Sequence, residues 1–215
     1  MPNHHKLSGV FAAALTPMGD DYSLDLDAVP PLMEFLAARG CHGILLLGTT
    51  GEGPSIAPNE RIDLLRTALE IRQSYPDIRL LAGTGTPSLE VTTALTRASF
   101  DLGLDVVVVL PPYYFRTVPD EGLFKWYSEL LRKAVPSDGA LLGYHIPAIS
   151  GVPLSIDLLS RLKDAFPDQF AGIKDSSGDP EHARRCGSQP TRSQRREPPG
   201  TPHPGSPILR PPWRR

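Results

Sequence analysis

Residues 43–53 read Gly-Ile-Leu-Leu-Leu-Gly-Thr-Thr-Gly-Glu-Gly, an apolar run that ends in a loop of small residues. The run is continuously apolar rather than alternating, which is typical of a parallel strand covered on both faces. Five further runs of this kind occur, at residues 9–16, 79–83, 105–110, 141–144 and 170–174. Because the runs recur every 26 to 36 residues, with room for one helix between them, they predict an α/β fold built from βα units.

Helical patterns occupy the intervals between these runs, over residues 25–39, 60–74, 88–102, 120–134 and 155–166. In the first of them, Asp25 or Asp27 can cap the N-terminus, and Gly40 follows the end. Ser155 is the expected N-cap of the last helix. Periodicity leaves open whether the sheet is doubly wound or closed into a barrel, so the residues at the strand ends must help to decide.

The composition of the chain changes sharply near residue 183. Residues 1–183 carry 14 Lys and Arg against 23 Asp and Glu, a net charge of −9, whereas residues 184–215 carry eight Arg against one Glu, a net charge of +7. The second segment also holds eight of the 24 prolines and very few aliphatic residues. Such a segment buries too little apolar surface to offset its ordering entropy. We therefore predict one α/β domain over 1–183 and a disordered, Arg/Pro-rich tail over 184–215, of the composition that an out-of-frame reading of a GC-rich gene gives.

The composition also disfavours several classes of protein. No apolar run approaches the roughly 18 residues of a membrane span, and no secretory signal pattern follows Met1. Cys41 and Cys186 do not make a disulfide framework, so a cytoplasmic protein without membrane contact is expected. The basic tail alone suggests nucleic-acid contact, but it lacks interleaved aromatic residues apart from Trp213, and we expect no nucleic-acid partner.

Lys174 and Tyr144 end two successive apolar runs. In parallel α/β folds the functional site lies at the carboxyl ends of the strands, where both side chains are expected. A lysine whose amine is partly shielded from water can lose its proton and attack a carbonyl carbon. A tyrosine hydroxyl in the same space can transfer protons. Taken singly, each residue is more often structural: a solvated strand-end lysine and an amphipathic core tyrosine.

The loop from Gly48 to Gly53 offers small residues, two hydroxyls and exposed backbone N–H groups, which can hold a small carboxylate. It lacks the Gly-Lys-Ser/Thr ending of a P-loop and the spacing of a dinucleotide-binding loop, so a nucleotide is not expected. A tight βα turn is the structural alternative. His145 precedes no second ligand at metal spacing, and we expect no metal.

Taken jointly, these segments resemble the dihydrodipicolinate synthase / N-acetylneuraminate lyase family of class I pyruvate-type aldolases. Residues 43–53, with Glu60 downstream, resemble the first signature of that family. Tyr144-His-Ile-Pro and Gly172-Ile-Lys-Asp-Ser-Ser-Gly-Asp, about thirty residues apart, resemble the second. The resemblance covers residues 7–183. It implies a (β/α)8 TIM barrel, usually a homotetramer, that uses neither a metal nor an organic cofactor.

The resemblance also implies a role for four catalytic residues. Lys174 would form a Schiff base with pyruvate or a related 2-oxo acid, and Tyr144 would relay protons. Thr49 and Tyr114 would complete that relay. Tyr114 belongs to the segment Pro112-Tyr113-Tyr114, which resembles the family's segment after strand four, and it would act across a subunit contact.

Thr50 and the backbone beside it at Gly51 would bind the carboxylate of the oxo acid. One departure from the family's pattern concerns the second substrate: members that condense pyruvate with aspartate semialdehyde usually carry arginine where this chain has Ile149. The segment Tyr-His-Ile-Pro-Ala-Ile-Ser-Gly-Val looks more like the sialic-acid-lyase branch. We therefore predict a lyase or aldolase that joins or splits a 2-oxo acid and an aldehyde, with a sugar-acid-type substrate. Condensation of the 4-hydroxy-tetrahydrodipicolinate synthase type is the alternative.

Only about six βα units are countable before the composition changes, whereas the family's barrel has eight strands. An incomplete barrel would leave two strand edges and one side of its interior exposed. The sequence therefore predicts a truncated member of this family, and an inactive truncated product is the third interpretation of its function.

Overall fold

The computed structural model describes residues 7–187, which form a sheet of six parallel strands in sequential order. All five pairings between neighbouring strands are parallel. The strands are β1 (Phe11–Ala13), β2 (Gly43–Leu46), β3 (Arg79–Gly83), β4 (Val106–Val109), β5 (Ala140–His145) and β6 (Phe170–Asp175). Each apolar run found in the sequence therefore contains one strand, and the fold is an incomplete (β/α)8 barrel.

Helices fill every interval between the strands. They are α1 (Val29–Ala38), α2 (Pro58–Ala68), α3 (Leu89–Asp101), α4 (Asp120–Ala134), α5 (Pro147–Ser150), α6 (Ile156–Ala165) and α7 (Pro180–Gly187). The five helices predicted from the sequence are present, and the one-turn helix α5 was not anticipated. No helix within residues 7–187 combines the length and apolarity that crossing a membrane requires.

Side chains at the helix starts explain where several helices begin. The carboxylate of Asp25 accepts a hydrogen bond from the Ala28 N–H at 3.1 Å, at the 3-10 turn that leads into α1. The Ser155 hydroxyl accepts one from the Leu158 N–H at 3.1 Å, which confirms it as the N-cap of α6. Each bond satisfies a backbone donor that has no partner inside the helix.

The helix α7 extends beyond the domain boundary that the composition suggested. Asp179 caps it by accepting from the Glu181 and His182 N–H groups at 2.9 and 3.3 Å. The helix then continues through residues 184–187, which the sequence assigned to the tail. A well-capped first turn outweighs the change in composition there, because helix formation depends on local hydrogen bonds. Residues 188–215, where the remainder of the predicted tail falls, lie outside the described part of the chain.

The two faces of the sheet pack against different partners, because successive side chains of a strand point to opposite sides. On the outer face, residues such as Ile44, Leu80 and Val107 are fully buried beneath the helices. On the inner face, Leu45, Leu81 and other strand residues pack against one another. This double burial explains why the strands read as continuous apolar runs.

The inner face lines a partly open cavity of about 290 Å³. The cavity is lined by residues of all six strands and by one residue before β1: Leu7, Phe11, Ala13, Leu45, Leu81, Val108, Leu142 and Lys174. Within residues 7–187, β1 and β6 each pair with one strand only. The described part of the chain therefore leaves the interior open on the side where a full barrel has two further strands.

A β-bulge at the β5–β6 pairing decides which way the end of β6 points. Leu141 pairs with Phe170, but Leu142 pairs with Gly172, so Ala171 is an extra residue in β6. Gly172 accommodates the irregularity with φ of +145°, a conformation that residues with a side chain rarely adopt. Without the extra residue, Lys174 would face the helices, since a one-residue shift moves every side chain to the other face.

The amino-terminal ends of the strands are joined by a charged cluster around Asp105. Its carboxylate accepts from Arg72 at 2.6 Å, from Arg79 at 2.7 Å and from the Leu80 N–H at 2.9 Å. The carboxylate is four-fifths buried, which reduces competition from water. In barrels of this kind that end serves stability, whereas the opposite end carries the chemistry.

We expect Asp105→Ala to lower the free energy of unfolding by about 1–3 kcal/mol, because it removes three hydrogen bonds and leaves two guanidinium groups and one N–H without their acceptor. Urea unfolding followed by circular dichroism measures the change. Asp63→Ala is the matched control, since its ion pair with Arg66 is more than half exposed and should contribute at most about 0.5 kcal/mol. Equal losses in the two variants would contradict the assignment.

Candidate active site

Lys174 and Tyr144 are brought together by strand register. The two residues are direct partners in the β5–β6 pairing, and both point to the inner face. The Nζ atom of Lys174 lies 3.9 Å from the centroid of the Tyr144 ring. The sequence predicted both residues at strand ends, and the structure places the amine against the ring at the carboxyl end of the sheet.

Thr49 joins this pair from the loop that follows β2. Its hydroxyl lies 3.2 Å from the Tyr144 hydroxyl, within hydrogen-bond distance. Two strands separate β2 from β5 in the sheet, so the contact forms only because the sheet curls toward a barrel. Tyr144 is only 4% exposed, so its hydroxyl meets neighbouring side chains in a largely water-excluded space.

The Gly48–Gly53 loop has a tightly specified backbone. Leu47 and Glu52 both have positive φ, at +56° and +51°. A Cβ atom at Gly53 would lie 2.1 Å from the carbonyl oxygen of Leu47, so only glycine fits there. The loop closes with a hydrogen bond from the Gly53 N–H to the Gly48 carbonyl at 3.1 Å.

Thr50 and Gly51, the predicted carboxylate-binding residues, lie at the turn of this loop. Thr50 is exposed, while Gly51 is buried and its carbonyl accepts from the Thr16 hydroxyl at 2.6 Å. Within residues 7–187, the N–H groups of Thr50 and Gly51 have no hydrogen-bond acceptor, whereas those of Glu52 and Gly53 bond inside the loop. The loop is therefore both a tight turn and a source of two free donors. Carboxylate binding there stays a prediction.

The pKa of Tyr144 lies below the ordinary tyrosine value. Burial alone would raise the pKa, but hydrogen bonds with Lys174, Thr49 and Ser176, together with the charge of Lys174, outweigh burial. Each of these interactions favours the phenolate. A tyrosine so placed gives up its proton more readily than a free one, which suits a proton relay.

Ser176 is a neighbour of the lysine that the sequence analysis did not single out. The Lys174 Nζ atom donates to its hydroxyl oxygen at 2.8 Å. The serine follows two residues after the lysine, inside the Lys-Asp-Ser-Ser segment. Its sequence context marked it as part of a motif, but only the turn after β6 shows that its hydroxyl folds back onto the amine.

Tyr114 is separate from the other predicted site residues. Its side chain is 75% exposed and meets Phe115 edge-on, with ring centroids 5.0 Å apart. Within the described residues it makes no hydrogen bond to Thr49 or Tyr144. A role across a subunit contact, as the sequence analysis expected, stays a prediction.

The outer face of β5 and β6 carries a group of potential metal ligands, His145, Asp175 and His182. Sequence spacing did not reveal this group, because His182 comes from α7 and reaches the sheet only in the folded chain. The two histidine rings are stacked, with centroids 4.1 Å apart and an angle of 15° between the ring planes. A histidine nitrogen binds a metal in the plane of its ring, so two stacked rings cannot both ligate one ion in this arrangement. Absence of a metal stays a prediction.

Comparison with known proteins identifies what this chain resembles. A sequence profile of the dihydrodipicolinate synthetase family matches residues 6–190. An uncharacterized DapA-like lyase from Chloroflexus aurantiacus is 42% identical over 177 residues, which cover 82% of this chain and 58% of that protein.

Solved structures show the same likeness. Dihydrodipicolinate synthase from Agrobacterium tumefaciens is 35% identical with a TM-score of 0.76, and the match covers 82% of this chain and 61% of that one. A prophage protein of the dihydrodipicolinic acid synthase family from E. coli K12, solved in complex with pyruvate, is 26% identical with a TM-score of 0.77 and coverages of 84% and 58%. The chain thus spans less than two thirds of the length of all three proteins.

We expect Lys174→Met to move the titration of Tyr144 to higher pH, because the substitution removes the ammonium and its hydrogen bond while burial persists. The tyrosinate absorbance in the ultraviolet, recorded against pH, measures the shift, and Tyr144→Phe identifies which component belongs to Tyr144. Lys125→Met on the exposed face of α4 is the control. An unchanged titration in Lys174→Met would show that the amine does not influence the phenol.

Proposed function

This chain belongs to the dihydrodipicolinate synthetase family, and we propose that its site forms a Schiff base between Lys174 and a 2-oxo acid of the pyruvate type. The observation that carries the proposal is the contact of the Lys174 amine with Tyr144, whose hydroxyl in turn meets Thr49. Nucleophile and proton carrier are thereby adjacent at the carboxyl end of the sheet. The E. coli K12 relative solved with pyruvate supports the class of substrate.

The chemistry proceeds by addition and loss of water. The neutral Lys174 amine attacks the keto carbon, a C–N bond forms and the C=O π bond breaks. A proton then passes from the new NH2⁺ group through Tyr144 to the oxygen, which becomes a hydroxyl. Tyr144 supplies a proton to that hydroxyl, water leaves, and the protonated imine remains. Thr49, in contact with the Tyr144 hydroxyl, orients the phenol and passes the proton on. The imine is the electron sink for breaking or forming the next C–C bond, so no metal or organic cofactor is required.

The carboxylate of the oxo acid fits the free N–H groups of Thr50 and Gly51. These donors lie in the same loop as Thr49, one and two residues further along. Backbone N–H groups in a turn form a concave anion site without any side-chain charge. Binding there places the keto carbon between the loop and the amine, and the hydroxyl of Thr50 can add a third hydrogen bond.

The second substrate is proposed to be an aldehyde of the sugar-acid type. Ile149, which stands where semialdehyde-condensing relatives usually carry arginine, is 59% exposed on α5 and offers no charge to a second carboxylate. A neutral, hydroxyl-bearing aldehyde tolerates that surface better than an aldehyde that carries a carboxylate does.

Synthase-type condensation with aspartate semialdehyde is the second candidate, and one contact favours it. The side chain of Arg116, from the segment after β4, lies against Gly151, two residues beyond Ile149. A Cβ atom placed on Gly151 would approach the Arg116 Cδ atom to 2.7 Å. A guanidinium beside this loop could replace the cation missing at Ile149 and bind a carboxylate. The Agrobacterium tumefaciens relative is itself a dihydrodipicolinate synthase.

An inactive product is the third candidate, and the open interior favours it. Lys174 lies on β6, which within residues 7–187 pairs only with β5, and the cavity beside the amine is lined almost entirely by apolar side chains. Water entering from the open side competes for the hydrogen bonds of the site and screens its charges. We propose that intact members of the family assemble as homotetramers, in which the exposed Tyr114 reaches the site of a neighbouring subunit.

Borohydride reduction in the presence of pyruvate tests the first step, because it converts the imine to a stable amine. We expect a mass increase on the peptide that contains Lys174, and no adduct in Lys174→Ala. Tyr144→Phe should slow adduct formation by about two to four orders of magnitude, the usual range for lost acid–base catalysis. The Agrobacterium tumefaciens enzyme serves as the positive control. If that enzyme labels and this chain does not, the third candidate is correct.

The acceptor is tested in a chimera that continues residues 7–183 with the C-terminal units of the Chloroflexus aurantiacus relative, which closes the interior. With pyruvate present, we expect sugar-derived aldehydes to react at least about tenfold faster than aspartate semialdehyde. Ile149→Arg should reduce this difference in rate, since one carboxylate–cation hydrogen bond contributes roughly 1.5–3 kcal/mol. Comparable initial rates for both acceptors would instead establish the synthase reaction, provided that Arg116→Gln abolishes the reaction with aspartate semialdehyde.

A further inference from the structure

Behind the Lys174–Tyr144 pair, on the outer face of the sheet, lies a cluster that we call the clamp: His145, Leu154, Asp175 and His182. We propose that His182 is a positioning residue which, through its contacts with Asp175 and the Leu154 carbonyl, ties β6 to the segment after β5 and so holds Lys174 beside Tyr144. The catalytic consequence rests on the proposed Schiff-base function, whereas the clamp itself does not.

Both ring nitrogens of His182 face hydrogen-bond acceptors. Nδ1 lies 3.0 Å from a carboxylate oxygen of Asp175, and Nε2 lies 3.2 Å from the carbonyl oxygen of Leu154. A carbonyl oxygen can only accept, so Nε2 carries a proton. Asp175 is ionised: burial raises its pKa, but the Ser177 N–H and His182 outweigh burial and bring the pKa to about 2. The carboxylate therefore also accepts, and only the doubly protonated ring satisfies both partners.

His145, in contrast to His182, carries a proton on only one of its ring nitrogens. Its Nδ1 atom accepts a hydrogen bond from the Leu154 N–H at 3.0 Å, so Nδ1 carries no proton. The ring is 4% exposed, and burial together with the charge of His182 lowers its pKa. His145 is thus a neutral imidazole with its proton on Nε2. The two histidines bind the two backbone groups of Leu154. The Leu154 N–H donates to His145, and the Leu154 carbonyl oxygen accepts from His182.

The stacking of the two rings agrees with this assignment. A neutral imidazole stacked at 4.1 Å presents its π face to the neighbouring cation, which is favourable, whereas two imidazolium rings at that distance would repel. The other titratable or charged groups near the clamp are Asp179, which acts on His145, and Cys186, whose Sγ atom lies 3.7 Å from His182 Nδ1. Arg185 acts on Cys186.

The position of the clamp links it to the site. His145 and Asp175 are strand partners, one residue beyond the partners Tyr144 and Lys174, and they point to the opposite face. A bond that fixes Asp175 relative to the segment after β5 therefore fixes the register of Lys174 too. The end of β6 needs such a bond, because within residues 7–187 it has a neighbour on one side only and follows a bulge.

The clamp also attaches α7 to the sheet. The residues of that helix are at most partly buried, and Cys186 packs against the hydrophobic core. His182 lies in its first turn and is mostly buried, with 15% of its side chain exposed. His182 therefore joins α7 to both β6 and the segment after β5.

Nitrogen-15 NMR of the full chain, with His182→Gln to assign the signals, tests the protonation states. We expect both ring nitrogens of His182 to carry hydrogen-bonded protons and His145 to be the neutral Nε2–H tautomer. Replacing His182 should broaden the α7 amides, because both of its bonds to the clamp are then lost. Ring nitrogens of His182 without hydrogen-bonded protons, or α7 amides unchanged in His182→Gln, overturn the proposal.

The positioning role is measured at Tyr144, independently of any reaction. Because contact with Lys174 lowers the pKa of Tyr144, release of β6 should move the tyrosinate titration to higher pH in His182→Gln, as loss of the amine does. Arg184→Gln, two residues along on the exposed side of the same helix, should leave the titration unchanged. Circular dichroism and urea unfolding confirm that both variants remain folded. A Tyr144 titration that His182→Gln does not move overturns the positioning role.

Pyruvate trapping then separates this inference from the proposed function. Where the unsubstituted chain traps pyruvate on Lys174, His182→Gln should trap it roughly tenfold to a hundredfold more slowly, with the pyruvate concentration at half-saturation little changed, because misplacing the amine affects the chemical step. Equal trapping rates would refute the catalytic consequence. A chain that traps nothing refutes the proposed function, while the Tyr144 titration still decides the positioning role.

Discussion

The register between β5 and β6 is the constraint on which the candidate site depends. It makes Tyr144 and Lys174 direct neighbours on the inner face and, one step further, His145 and Asp175 neighbours on the outer face. The bulge at Ala171 sets this register, and Gly172 tolerates the backbone that the bulge requires. A single extra residue in one strand therefore decides whether the amine points to the inner cavity or to the helices.

The two ends of the sheet have separate tasks. At the amino end, a mostly buried carboxylate, Asp105, gathers two guanidinium groups and one backbone donor into a rigid junction. At the carboxyl end, the Thr49 and Ser176 hydroxyls, the Tyr144 phenol and the Lys174 amine lie in contact beside a cavity. In barrels of this kind the amino end serves stability and the carboxyl end carries the functional residues.

Much of the fold could be predicted from the sequence, because its signals are local. Continuous apolar runs at the spacing of βα units predicted all six strands, and Ser155 was correctly predicted as a helix cap. The boundary near residue 183 was predicted from composition alone. Composition averages over many residues and misses a local cap such as Asp179, so the continuation of α7 to Gly187 was not predicted. Ser176 and His182 escaped notice, since their significance lies in contacts that follow from a turn and from a docked helix.

The sequence by itself determined the parallel α/β architecture, the family, and the identity of the residues at the strand ends, because periodicity and motif spacing are properties of the chain. Only the tertiary structure decided which of those residues meet. Curvature of the sheet brings Thr49 to Tyr144 across two intervening strands, and the bulge turns Lys174 inward. Docking of α7 places His182 between Asp175 and Leu154. These contacts join residues between 7 and 95 positions apart in the chain, and their formation depends on strand twist, pleat and packing, which no local pattern of residues specifies.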